Sequence, residues 1–179
     1  MVKCMNKQQI KYYIVSLISV VAGILLDQYT KFLAVTHLKD QSPYIIIKNV
    51  FELNYLENKG AAFGIMQNQR WFFVVSFVVV ILIIFLLYIK LPTFQRFIPL
   101  HICSALIVAG AIGNLIDRVR LGYVVDFFYF SLIDFPIFNV ADIFVVIGVI
   151  TLAIVILFVY TEKELDDILS FRKTNQNKG

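Results

Sequence analysis

Residues 71–89 read WFFVVSFVVVILIIFLLYI, nineteen residues without a charge. At about 1.5 Å of rise per residue, such a run is long enough to cross the hydrocarbon core of a bilayer as a helix. Working outward, residues 143–160 form a second uncharged run. Residues 97–116 carry only His101 as a basic group, and residues 12–35 stay apolar until Asp27 and Lys31. Because 60% of the 179 residues are hydrophobic, too few polar ones remain to cover a water-soluble domain of this size. The chain therefore reads as an α-helical integral membrane protein, one membrane domain over 1–179 with four transmembrane helices at about 12–35, 71–89, 97–118 and 139–160.

The net charge of +4 does not point to nucleic acid, because the cations gather at helix ends. Lys3, Lys7 and Lys11 precede the first helix, Lys90 and Arg96 flank the short turn after the second, and Lys163, Arg172, Lys173 and Lys178 follow the fourth. By the positive-inside rule both termini and that turn are cytoplasmic. Lys39, Lys48, Lys59 and Arg70 on the outer side weaken the bias without reversing it. The first helix is too long for a cleaved signal peptide. Cys4 and Cys103 lie at depths that cannot pair. The tail over 161–179 reads as a short, frayed, solvated helix, with Glu162, Glu164, Asp166 and Asp167 offsetting its cations.

With the amino terminus inside, the segments over 36–70 and 119–138 face outward. The first is far longer than a helix hairpin needs, and such loops usually carry function. Residues 44–47 are an aromatic followed by β-branched residues, 50–55 alternate apolar and polar, and 123–130 are equally strand-like. These stretches predict a small extracytoplasmic β-sheet cradle, with aromatic residues at headgroup level.

This topology collects the polar groups on one leaflet. Asp27 and Lys31 end the first helix, Asn58 and Gly60 to Gly64 lead into the second, Asn114, Asp117 and Arg118 end the third, and Asn139 and Asp142 begin the fourth. Ionisable groups at that depth are costly and mark function by default. Bland readings exist for most of them. Asp27 and Lys31, four apart, suit an intrahelical ion pair snorkelling to the interface. Asp117 and Arg118 suit a structural pair, Asn58 and Asn114 suit caps, and Asp134 suits a solvated turn. Asp142 alone is explained by the positive end of a helix. Asp126 interrupts an apolar strand with no cation within three residues. Together Asp126 and Asp142 can converge, and two converging carboxylates can cut a peptide bond.

Other chemistries have less support. His37 and His101 fall on opposite sides of the membrane, which leaves no His-rich zinc site. Ser104 lies on the face of His101 without an acidic partner and reads as packing. No glycine-rich phosphate loop follows a strand, and no cofactor is expected. A small four-helix transporter with a proton relay of Asp residues is the alternative, but it calls for a mid-membrane acid and short loops. A non-enzymatic assembly factor is a third reading.

Five blocks in order, Asp27-x-x-x-Lys31, Asn58-x-Gly60-Ala61-Ala62-Phe63, Gly113-Asn114-x-x-Asp117-Arg118, Gly122-x-Val124-Val125-Asp126-Phe127 and Phe138-Asn139-x-Ala141-Asp142, give the chain a family likeness. Over residues 12–160 it resembles bacterial lipoprotein signal peptidase (signal peptidase II). The resemblance implies an intramembrane aspartyl protease of the bacterial cytoplasmic membrane, with its site near the outer leaflet. Its substrates would be prolipoproteins already carrying diacylglyceryl on a cysteine, cut on the amino side of that cysteine. It also implies Asp126 and Asp142 as the catalytic pair. Asn58, Asn114, Arg118 and Asn139 would line the site, and Asp27, Lys31 and Asp117 would support it. Membrane lipid is the other expected partner, and a monomer is the default.

Overall fold

The computed structural model describes residues 7–60 and 69–169. In order they form helix α1 (Lys7–Leu38), strands β1 (Tyr44–Ile47) and β2 (Phe51–Asn58), and helices α2 (Arg70–Tyr88) and α3 (Ile98–Arg120). Strand β3 (Val124–Tyr129) and helices α4 (Val140–Phe158) and α5 (Glu162–Leu169) complete the chain. Helices α1 to α4 are each long and apolar enough to cross a membrane.

The first helix starts at Lys7 and ends at Leu38, beyond the apolar run at both ends. Nothing in 7–11 or 36–38 breaks a helix, and polar residues continue it into the headgroup layer. The third helix carries Pro99 in its first turn, where a missing N–H costs nothing. It is the central helix, burying Leu100, Cys103, Ile107, Ala109 and Ala111. By contrast α1 and α2 expose Leu17, Leu25, Val75 and Phe85. Helices apolar on every face with exposed outer surfaces suit lipid rather than water.

The three strands form one antiparallel sheet in the order β1-β2-β3. Leu53 faces Phe128 and Leu56 faces Asp126, so the register slips between them. Such a bulge re-aims the side chains beside it. Alternation along β3 sends Val125 and Phe127 into a cluster with Ala34 of α1. Asp126 therefore points to the other face.

The tail differs from its sequence reading. α5 is docked, not solvated: Ile168 is buried with Phe97, Leu100, Val155 and Tyr160, and Leu165 packs against the same cluster. Arg96 of the preceding turn binds the Glu164 carboxylate and donates to the Val159 carbonyl at 2.9 Å. Two apolar residues three apart give this acidic segment a face to bury, which its charge count concealed. Residues 170–179 lie outside the described residues.

Candidate active site

The polar residues at the sheet end of the bundle form two layers. The deeper one centres on Lys31. Its ammonium lies 2.9 Å from Asp27 and 3.0 Å from Asp117, and donates to Asn114 Oδ1 at 2.9 Å. Asp27 and Lys31 are 0% and 3% exposed. The intrahelical pair therefore exists but does not snorkel; it is buried and ties α1 to α3. Asp117 pairs with Lys31 and not with its neighbour Arg118, because consecutive helical residues point to different faces.

All four carboxylate oxygens in this layer accept hydrogen bonds. Asp27 Oδ1 accepts from the Ala141 N–H at 2.9 Å, and Asp117 Oδ2 from the Val125 N–H at 3.1 Å. The Gln28 amide donates to Asp27, Asp117 and the Gly113 carbonyl at 3.1–3.2 Å. Gly113 is required by this packing, since a Cβ there would stand 2.5 Å from Asp27 Oδ2. The layer thus fixes the starts of β3 and α4, the two segments that carry Asp126 and Asp142. Gln28 was not singled out in the sequence, because an uncharged amide gives no sign of its depth.

The upper layer holds the acids themselves. Asn139 caps α4 in a reciprocal box: its side chain accepts from the Asp142 N–H at 3.0 Å, and its own N–H donates to Asp142 Oδ2 at 3.1 Å. The same Asn139 amide donates to Asp126 Oδ1 at 2.6 Å and to Asn114 Oδ1 at 3.2 Å. Asn114 in turn donates to Asp142 Oδ1 at 2.8 Å, and Asn58 donates to Asp126 Oδ2 at 2.8 Å. Each carboxylate therefore accepts two hydrogen bonds from neutral donors. Among the described residues neither takes part in an ion pair.

Asp126 and Asp142 face one cavity of about 550 Å³. Burial, then the charge of Asp142, pushes the Asp126 carboxyl up to about 7 against the pull of the Asn58 and Asn139 amides. Its lining mixes polar residues, Asn58, Asn114, Arg118 and both acids, with apolar ones, Phe73, Phe77, Val146 and Ile147. Arg118 is buried, donates to the Gly60 carbonyl at 2.9 Å and lies 4.5 Å from the Phe73 ring centroid. It links α3 to α2 and to the end of the first outer segment. Residues 61–68, with the Ala61 to Gly64 part of the second block, lie outside the described residues. Asp134 is exposed on a left-handed turn and accepts from Tyr129, apart from the cavity. Among the described residues no group of three His, Cys, Asp or Glu side chains is placed to hold a metal ion.

The sequence profile of the Signal peptidase (SPase) II family matches residues 19–158, most of the chain. The chain belongs to the signal peptidase II family. Among curated relatives, the lipoprotein signal peptidase of Caldanaerobacter subterraneus subsp. tengcongensis is 49% identical over 136 residues, covering 75% of this chain and 90% of the relative. That of Clostridioides difficile is 48% identical over 133 residues, covering 74% and 88%. A bacterial membrane enzyme solved by the in meso method at 2.3 Å superposes with a TM-score of 0.73 at 30% identity, covering 89% of this chain and 93% of that one. As a signal peptidase II family member the chain is a peptidase, a hydrolase, and a multi-pass bacterial membrane protein.

Proposed function

We propose that the chain is an aspartyl endopeptidase that removes the signal peptide from diacylglyceryl-modified prolipoproteins, cutting on the amino side of the lipidated cysteine. The observation that carries this reading is the placement of Asp126 and Asp142 on one cavity, both held by Asn139 and neither paired with a cation among the described residues. Two carboxylates in such a site share one proton, and their titration belongs to the pair. The charged member takes a proton from water, and the resulting hydroxide attacks the scissile carbonyl carbon. The protonated member hydrogen-bonds the carbonyl oxygen as it gains charge. Collapse of the tetrahedral intermediate breaks the C–N bond, the leaving amine receives a proton from the pair, and one shared proton remains.

The amides of Asn58, Asn114 and Asn139 hold both carboxylates through hydrogen bonds that persist in either protonation state. Asp27, Lys31 and Asp117 act one layer below by fixing the backbone that carries the pair. The mixed polar and apolar lining of the cavity suits a peptide bearing acyl chains, with the chains against apolar side chains such as Val146 and Ile147. Both termini are placed in the cytoplasm and the acids near the outer leaflet, in keeping with the positive-inside bias. The sheet then lies over the outer surface, where exposed Tyr44, Ile45, Leu132 and Ile133 meet headgroups. A proton-relay transporter would place its acids near mid-membrane, whereas Asp142 sits in the first turn of α4 and Asp126 on β3.

The test incubates purified protein with a diacylated precursor and with the same precursor unmodified. Cleavage of the diacylated form alone, unaffected by chelators and serine-directed reagents, is expected. Equal cleavage of both forms would remove the lipid requirement, and chelator inhibition reversed by zinc would contradict the aspartyl mechanism.

A further inference from the structure

At the end of the bundle away from the acids, α1 and α3 part from one another. They touch where Gly23 packs on Ala109 and where Lys31 meets Asp117. Between them, toward Lys7, runs a groove of about 1020 Å³ with Ala105 and Leu106 on one wall and Phe144 at its back. In a bilayer such a space holds an acyl chain, since a void forfeits dispersion contacts on both walls. Two further features make it more than an annular surface. Lys7 and Lys11 stand at its mouth, four apart on one face of α1, with no acidic partner among the described residues. His101 also lines it, 4% exposed and in ring contact with Tyr12, one residue from Lys11.

The His101 Nε2 lies 3.2 Å from the Pro92 carbonyl and ties α3 to the turn before it, so the ring forms a fixed part of the groove wall. We propose that this groove binds one anionic phospholipid, of the phosphatidylglycerol class. The phosphate lies between Lys7 and Lys11, and one acyl chain runs along Ala105 toward Gly23. Basic pockets between transmembrane helices take anionic headgroups in this way. The groove lies between α1 and α3, away from the cavity of the acids, and needs no peptide substrate.

Native mass spectrometry of the delipidated full chain in detergent tests it, with phosphatidylglycerol, phosphatidylcholine and inorganic phosphate as probes. One phosphatidylglycerol adduct is expected to persist, with none from phosphatidylcholine or inorganic phosphate. Lys7→Gln/Lys11→Gln, both exposed positions, weakens it about thirtyfold. Ser19→Trp, which fills the groove from its exposed side, removes the adduct while thermal unfolding stays that of the parent. Retention of phosphatidylcholine as tight as phosphatidylglycerol, or undiminished binding by the double variant, would overturn the proposal. Binding of inorganic phosphate as tight as the lipid would overturn it too.

Discussion

Lys31→Met exchanges the buried ammonium for an apolar chain of similar length and exposes how the deeper layer is held. Asp27 keeps the Gln28 amide at 3.1 Å and the Ala141 N–H at 2.9 Å; Asp117 keeps Gln28 at 3.1 Å and the Val125 N–H at 3.1 Å. Their shared counter-charge is gone. Counting Asp27, Asp117 and Lys31, the formal charge moves from −1 to −2 in a site where all three residues are at most 4% exposed. Removing one partner of a buried ionic cluster costs about 3–5 kcal/mol. For a chain of this size that is a fall of roughly 10 °C in Tm. Adding Asp117→Asn restores −1, and the double variant should regain at least half of the loss. The assay is thermal unfolding of the purified variants in one detergent. Unfolding of Lys31→Met within about 2 °C of the parent would refute the reasoning. So would an Asp117→Asn effect equal in both backgrounds, since coupled charges are not additive.

Gly113→Ala sets a methyl 2.5 Å from Asp27 Oδ2 and 3.3 Å from Ala141 Cβ, so overpacking by about 1–3 kcal/mol is expected in the same unfolding assay. Arg118→Lys keeps the charge but loses the planar stack on Phe73, and should lower stability by about 1 kcal/mol, read as a small fall in Tm. For Asp126 the folded carboxyl titrates near 7, above an unfolded value of about 3.9, so between those pH values the native state holds the extra proton. Stability therefore falls as pH rises through that window, by up to about 1.4 kcal/mol per unit. Asp126→Asn should abolish this slope, so its Tm exceeds that of the parent at pH 8 and the gap closes toward pH 5. By the same titration cleavage should decline well above pH 7, where the pair loses its proton.

The membrane helices were legible because bilayer thickness imposes a length that shows as uncharged runs. The strands were legible through period-two alternation, and the approach of Asp126 to Asp142 through the polar residues that gather at one end of the bundle. What stayed hidden were choices made across elements. Spacing of four paired Asp27 with Lys31 but gave no depth, so burial was misread as snorkelling. The partner of Asp117 lies on α1, and adjacency to Arg118 suggested the wrong pair. Asn139 was expected to line the site and position the acids, but the sequence did not show that its amide donates to Asp126 while its backbone N–H donates to Asp142. The docking of α5 rests on Leu165, Ile168 and the Arg96–Glu164 contact, and two apolar residues are too few to outweigh its acids in a reading of composition.

Asp126→Asn and Asp142→Asn, each assayed for cleavage of a diacylated precursor, test the central claim most directly. Both variants should insert and fold, each keeping one of the two acceptor oxygens used by the surrounding N–H groups, and both should lose turnover. Near-parental cleavage by either one would contradict the assignment of Asp126 and Asp142 as the catalytic pair.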